Sequence, residues 1–111
     1  MNFETKKDGD VLIFTLKEKK LDASISSLLK AEFLMLCKTE KCSVLVLDLK
    51  SVQFCDSSGL SALLIAQRTM SNKNGDVRIA NLNKSVENLL KISQLDRIFK
   101  IYKTTKSAIK G

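Results

Sequence analysis

Four small polar residues, Asp56-Ser57-Ser58-Gly59, form the stretch of this sequence with the clearest chemical potential. They follow the apolar run Val44–Leu49, which is typical of a strand buried on both faces, and they precede leucines at helical spacing. Aspartate and serine at a strand-to-helix turn favour capping, because their oxygens accept hydrogen bonds from the free amides of the first helical turn. The turn also exposes backbone donors and the positive end of the helix dipole. A serine hydroxyl displayed there could therefore carry a phosphate.

The same serines could be read as nucleophiles, but the sequence argues against catalysis. A serine nucleophile needs a neighbouring base, and the chain contains no histidine. A nucleophile elbow requires glycine two residues before its serine, whereas Cys55 and Asp56 precede Ser57 and Ser58 by two. Neither a Walker phosphate loop nor a dinucleotide fingerprint is present. We therefore expect a protein that is not an enzyme.

The possible metal ligands do not form a recognisable site. The sequence has three cysteines, Cys37, Cys42 and Cys55. An odd number of cysteines without metal-ligand spacing, in a chain without histidine, predicts reduced and partly buried thiols rather than a zinc site. Cys55 adjoins the polar turn, but no feature of the sequence activates it as a redox sensor. The spacing of Asp22, Asp48 and Asp56 specifies neither a metal nor an acid–base cluster, so we expect no metal and no cofactor.

Composition bounds the class of protein. The 111 residues fit one domain, and an apolar content of 44% favours a packed core over disorder. No stretch is long enough to span a membrane and the first residues lack a signal-peptide core, which makes the cytoplasm the expected location. The net charge of +7 invites a nucleic-acid interpretation, yet the lysines are dispersed and aromatic residues are few. A solvated lysine-rich surface is therefore the better interpretation.

Strand and helix patterns alternate around the turn. The predicted strands are Phe3–Lys7, Val11–Leu16, Val44–Leu49, Asp76–Ala80 and Ile98–Tyr102. The predicted helices begin near Asp22 or Ser24, Ser58, Ser85 and Thr105. The first helix is expected to bury Ile25, Leu28, Leu29, Phe33 and Leu36. The charged stretch Lys17–Leu21 predicts a loop, and the Asp8-Gly9 pair predicts a hairpin turn. This ββαβαβαβα order predicts an α/β fold with a mostly parallel sheet.

One family shares this combination of motif and element order. The string Asp56-Ser57-Ser58-Gly59-Leu60, preceded by a strand and by Val52-Gln53-Phe54, resembles the STAS domain of bacterial anti-sigma factor antagonists. The resemblance runs from about Val11 to Tyr102 and includes the pair Leu21-Asp22 and the block from Leu82 to Phe99. It implies a single STAS domain over residues 1–111, with helices packed mainly on one side of the sheet. It also implies that the polar turn is exposed where the second helix begins.

The resemblance implies a phosphorylation switch at the turn. In that family the first serine after the aspartate accepts a phosphate from a partner kinase, and this serine corresponds to Ser57. Ser58 then becomes the cap or a minor acceptor. Unphosphorylated protein would bind an anti-sigma factor that is also a serine kinase carrying ATP and magnesium. Phosphorylation of Ser57 would end that association, and a serine phosphatase would reset it.

The residues around the acceptor are the expected partner contacts. Asp22 matches the Leu-Asp element of the family, whose aspartate lies near the phosphate acceptor, and Asp56 could orient the hydroxyl or help bind the kinase. Capping the two helices is an open alternative for both. Gly59 would let the partner backbone approach, or would simply relieve crowding at the turn. Leu60 completes the expected partner-binding set.

Two other functions remain open at the level of sequence. The chain could be a STAS subunit of another assembly, such as the cytoplasmic part of a lipid transporter, or it could be a small-ligand or nucleotide sensor. Ser61 and Lys20 occupy positions where the family commonly has glycine, and both departures are expected to alter how a partner fits. We expect a monomer when free, with no direct nucleic-acid binding and no stable membrane insertion.

Overall fold

The computed structural model describes residues 1–111, and its elements follow the alternation expected from the sequence. In chain order they are β1 (Phe3–Asp8), β2 (Val11–Leu16), β3 (Lys20–Leu21), α1 (Ala23–Thr39), β4 (Val44–Asp48), β5 (Phe54–Cys55), α2 (Ser57–Ser71), β6 (Asp76–Ala80), α3 (Lys84–Ile92), β7 (Lys100–Tyr102) and α4 (Thr105–Lys110). A short 3-10 helix, Leu95–Arg97, precedes β7. None of the helices is both long enough and apolar enough to cross a bilayer.

The apolar runs of the sequence form a five-stranded sheet of order β1-β2-β4-β6-β7. Strands β1 and β2 pair antiparallel across the loop Gly9-Asp10, in which Gly9 has a φ of +61°. Glycine suits this position because a side chain would be strained at a positive φ. Every later neighbour in the sheet pairs in parallel. The predicted α/β class with a mostly parallel sheet is confirmed.

The two faces of the sheet are covered unequally. Strand β2 alternates, sending Leu12, Phe14 and Leu16 into the larger core and Ile13 into the smaller one. The larger core lies beneath α1, α2 and α3. On the opposite face a single helix, α4, packs Ala108 against the smaller core. Three helices on one face and one on the other confirm that the helices pack mainly on one side.

Phe14 lies at the centre of the larger core and organises its packing. Its ring stacks on Phe3 of β1 at a centroid distance of 4.8 Å and meets the edge of Phe33 of α1 at 5.1 Å. Full burial of such a side chain contributes about 1.5–3 kcal/mol to stability. Phe14 therefore links the hairpin to the first helix.

The buried face of α1 differs from the one predicted. The residues it buries are Ile25, Ser26, Leu29, Phe33 and Cys37. Leu28 is 57% exposed, so its predicted place in the core is wrong, and Leu36 is only partly buried. At 100° per residue, Leu28 points roughly 120° away from the middle of the buried arc, whereas Cys37 completes it.

Two predicted boundaries also shift. Asn83, not Ser85, caps α3, because its Oδ1 accepts a hydrogen bond from the amide of Val86 at 2.8 Å. The side-chain amide of Asn83 also donates to the carbonyl of Val52 at 3.2 Å, an anchor that Ser85 does not have. The last strand begins at Lys100 rather than Ile98, because the amide of Ile98 bonds back to the carbonyl of Leu95 in the 3-10 helix.

Candidate functional site

The polar turn is built on a second, two-stranded sheet that the sequence did not predict. Strands β3 and β5 pair in parallel, with Leu21 opposite Cys55. The predicted loop Lys17–Leu21 therefore ends as a strand. Asp22 and Asp56 each come directly after one of these strands, and the amide of Asp56 donates to the carbonyl of Leu21 at 3.3 Å. This pairing holds the starts of α1 and α2 side by side.

Each aspartate caps the helix that follows it. Oδ1 of Asp56 accepts a hydrogen bond from the amide of Gly59 at 3.0 Å. Oδ1 of Asp22 accepts from the amide of Ser24 at 3.0 Å and from the Ser24 hydroxyl at 2.5 Å. The capping role that the sequence left open for both residues is thus observed. The expectation that Ser58 caps α2 is wrong, because Asp56 occupies that position.

A hydrogen bond between the two helices fixes the first turn of α2. Ser26, the one buried polar side chain of the protein, donates from Oγ to the carbonyl of Ser58 at 2.9 Å. The donor and acceptor residues are 32 positions apart in the chain. A buried hydroxyl that is satisfied in this way ties α1 to α2 at the point where the polar turn begins.

Ser57 is the exposed residue of the turn. It is the first residue of α2, and its hydroxyl takes no part in the capping hydrogen bonds. The positive end of the helix dipole and the free amides of the first turn surround this position. The side chain is therefore open to a partner, and its setting favours a negative charge.

Gly59 and Leu60 support the turn from below. Both are buried, and Leu60 packs in the larger core. A Cβ on Gly59 would lie 2.1 Å from the carbonyl oxygen of Leu21 and 2.9 Å from Sγ of Cys55. The glycine therefore lets α2 approach β3 closely, which is the relief of crowding considered from the sequence. Contact of either residue with a partner stays a prediction.

Comparison with known proteins identifies the family to which this chain belongs. The family model of the STAS domain matches residues 2–108. The chain belongs to the STAS domain family. An "Anti-sigma F factor antagonist" of Paenibacillus polymyxa is 30% identical to this STAS chain over 109 residues, covering 98% of this chain and 92% of the relative.

Solved structures show the same STAS fold. The anti-sigma factor antagonist SpoIIAA in its unphosphorylated form superposes with a TM-score of 0.82 at 18% identity, covering 98% of this chain and 94% of that one. The phosphorylated form of SpoIIAA from Bacillus gives a TM-score of 0.74 at 17% identity, with 98% and 97% covered. The murine anion transporter Slc26a9 also contains the fold, with a TM-score of 0.79 at 18% identity, covering 95% of this chain and 18% of the transporter.

Asp22 and Asp56 bring negative charge to the turn of this STAS chain, and Lys20 lies close enough to Asp22 to affect its pKa. The pKa of Asp22 is lowered, first by the hydrogen bond from the Ser24 hydroxyl, then by the Ser24 amide, with a smaller contribution from Lys20. Asp22 is therefore ionised at neutral pH. Asp48 lies elsewhere, since it accepts hydrogen bonds from Asn81 at 2.9 Å and Thr105 at 3.4 Å near the start of α4. The three aspartates do not form one cluster.

Phe54 is a surface feature of the site that sequence reasoning missed. It lies in β5, the strand that leads into the turn, and its side chain is 51% exposed. Large exposed aromatic side chains are enriched at protein interfaces. No sequence signal identified it, because the exposure of Phe54 depends on the pairing of β5 with β3, which the sequence did not predict.

We predict that Cys55 of the folded protein resists alkylation. Burial raises its pKa to about 12, and the charges of Asp56 and Asp22 add to the effect. A higher pKa means less thiolate at any given pH, and thiolate is the reactive species. The rise of about three pKa units lowers the thiolate fraction about a thousandfold, and the greater nucleophilicity of a more basic thiolate offsets part of that loss. At pH 8, labelling of Cys55 by iodoacetamide should therefore be at least roughly a hundredfold slower in native protein than in urea. Peptide mass spectrometry measures both rates, and rapid native labelling would show an activated thiol.

Proposed function

We propose that this chain is an anti-sigma factor antagonist whose binding to its partner is controlled by phosphorylation of Ser57. The observation that carries the proposal is the position of Ser57, exposed and uncommitted at the start of α2, directly after Asp56, which caps the helix. Similarity to the Paenibacillus polymyxa antagonist supports the general role. SpoIIAA, which shares the fold, has been solved in unphosphorylated and phosphorylated forms.

The proposed cycle has two states. Unphosphorylated chain binds an anti-sigma factor that is also a serine kinase with bound ATP and magnesium. The kinase then transfers the γ-phosphoryl group to Ser57. A bond forms between Oγ and phosphorus, the bond from phosphorus to the ADP oxygen breaks, and the hydroxyl proton passes to a base of the kinase. The phosphorylated chain leaves the kinase, and a serine phosphatase hydrolyses the phosphate to restore binding.

The chain contributes binding and presentation to this cycle. It acts as a single STAS domain over residues 1–111, a monomer when free in the cytoplasm, with no catalytic residue, metal or cofactor of its own. Asp22 and Asp56 hold the turn in a fixed geometry through their caps, and the hydrogen bond from Ser26 to Ser58 limits its motion. A fixed turn presents the acceptor hydroxyl at low entropic cost to the kinase.

The proposal predicts a single phosphate on Ser57. Incubated with ATP, magnesium and its cognate kinase-type anti-sigma factor, the chain should gain one phosphate, because Ser57 is the exposed hydroxyl of the turn. Peptide mass spectrometry locates the group. Ser57→Ala should abolish the modification and keep binding, whereas Ser58→Ala should still be phosphorylated.

Three outcomes would contradict the proposal. The first is a phosphate located on Ser58, Thr69 or any other residue. The second is incorporation of labelled phosphate when the kinase is omitted, since the chain lacks a phosphate-binding loop and a histidine base. Failure of the unmodified chain to bind the kinase at all would reject the role as antagonist.

A further inference from the structure

Helix α1 presents an uncharged face to solvent. Its exposed residues from the N-terminal end up to the last turn are Ala23, Ser24, Ser27, Leu28, Ala31, Leu34 and Met35. None of them is charged. We call this set the uncharged face of α1. Leu28 and Met35 are its most exposed large side chains, at 57% and 51%.

This face stands out against the rest of the protein surface. Charged residues make up 28% of the chain, and its net charge is +7. The two charged residues of the same helical stretch, Lys30 and Glu32, are partly buried at its sides, and the next exposed charge on the helix is Lys38. Exposed apolar side chains grouped on one helix face, with charges excluded from the centre, are the composition of an interface core.

The uncharged face is continuous with the Ser57 turn. It begins one residue after Asp22, whose carboxylate caps α1 beside the cap of α2. The hydrogen bond from Ser26 to the carbonyl of Ser58 joins the two helices within the first turn of each. From Leu28 the face extends along α1 to Met35, a distance of about 10 Å at 1.5 Å per residue.

The turn alone offers too little surface for a stable complex. Its exposed or partly exposed residues, Asp22, Asp56, Ser57 and Ser58, are all small and polar, and the apolar Leu60 is buried. Phe54, on the strand before the turn, adds one exposed apolar side chain. Specific complexes bury about 800 Å² on each partner and depend on a few well-packed apolar or aromatic anchors. Leu28 and Met35 can provide such anchors on the adjoining helix.

We propose that the uncharged face of α1 is a second half of the partner-binding surface, which packs against an apolar patch of the same kinase-type anti-sigma factor. This inference rests on the proposed function and divides the surface into two parts. The Ser57 turn carries the switch, and the α1 face carries affinity that the phosphate does not alter. A second copy of the chain is the less suitable occupant, because a face of little more than three helical turns is small beside the more than roughly 2,000 Å² of many obligate dimers.

The test compares two variants on the face with one outside it. Leu28→Ser and Met35→Ser should each weaken binding of the ADP-loaded kinase at least about fivefold, and together roughly 25-fold, because sites about 10 Å apart act almost additively. Ile92→Ser is the matched control: Ile92 is 79% exposed but lies at the far end of α3. All three variants should melt close to wild type, since each side chain is at least half exposed.

A kinetic measurement separates docking from the chemistry at the turn. Leu28→Ser and Met35→Ser should raise the KM for phosphorylation of the chain about fivefold while kcat stays unchanged, because the face binds the ground state and the transition state equally. The same fivefold losses should appear in a Ser57→Asp background, where the switch is already set.

Three results would overturn the inference and leave the proposed function intact, and a fourth would reject both. Face variants that bind like wild type, while Ser57→Asp binds weakly, would leave the function intact and reject the docking face. An equal loss of kinase affinity for Ile92→Ser would show that the effect of the face variants is not specific to α1. A wild-type homodimer that the face variants dissolve in sedimentation experiments would assign the face to a second copy. Wild-type chain that does not bind the kinase would reject both proposals.

Discussion

Gly59→Ala is expected to lower the Tm of this STAS chain by roughly 15 °C, corresponding to about 3 kcal/mol of unfolding free energy. The added Cβ would lie 2.1 Å from the carbonyl oxygen of Leu21, 2.8 Å from Leu21 Cγ and 2.9 Å from Cys55 Sγ. The nearest of these atoms belongs to the backbone, which cannot rotate away as a side chain can. Either α2 or the β3–β5 pair must therefore move.

Two opposing effects set the size of the change. Alanine is a better helix former than glycine by about 1 kcal/mol, which by itself would stabilise α2. The steric conflict exceeds this gain because it displaces the turn from both the Asp56 cap and the hydrogen bond from Ser26. Differential scanning calorimetry measures the net effect.

Gly9→Ala is the matched control. Gly9 has a φ of +61°, but a Cβ added there would meet no atom within 4 Å, so the substitution costs only the left-handed strain of about 1–2 kcal/mol. Gly59→Ala should be clearly less stable than Gly9→Ala, although of these two glycines only Gly9 has a positive φ. Equal or higher stability for Gly59→Ala would contradict the close approach of α2 and β3.

Ser57→Asp is expected to weaken binding of the chain to its kinase-type anti-sigma factor at least about tenfold, or roughly 1.4 kcal/mol, without unfolding it. A phosphate adds about −1.5 to −2 charges at neutral pH, and aspartate imitates part of that charge. Within the free chain the charge lies at the start of α2, where the dipole and the first-turn amides favour an anion despite repulsion from Asp56. In the complex the same charge must be desolvated against the partner.

Two controls isolate the charge and its position. Ser57→Asn has nearly the shape of Ser57→Asp without its charge and should bind more tightly than the aspartate variant. Ser85→Asp adds the same charge to an exposed serine in the first turn of α3 and should bind like wild type. Titration calorimetry gives the affinities, and circular dichroism confirms the fold. Unfolding of Ser57→Asp, or binding that is indifferent to charge at position 57, would reject a local electrostatic switch.

The sequence by itself determined those strands, turns and helix starts whose formation depends on residues close to one another in the chain. Alternating or continuous apolar runs marked β2, β4 and β6 of the main sheet, because burial on one or both faces imposes those periods. The loop after Asp8 was predictable because glycine relieves strain at a positive φ. The Asp-Ser-Ser-Gly string marked the start of α2, because capping is a local hydrogen bond. Ser57 was placed at that start for the same reason.

Only the tertiary structure decided which distant residues share the site. The two-residue strands β3 and β5 have too few residues for a periodic pattern, so their pairing, which sets Asp22 beside Asp56, comes from packing of the chain as a whole. Leu28 was predicted to lie in the core because it is hydrophobic. It is exposed because it lies outside the side of α1 that packs on the sheet, and the sequence does not show which side that is. Asn83 replaced Ser85 as a cap because it also anchors to Val52, 31 positions away. In each case contacts between segments that are remote in sequence decided the outcome. Local preferences for capping or burial did not decide it, because more than one residue could satisfy them.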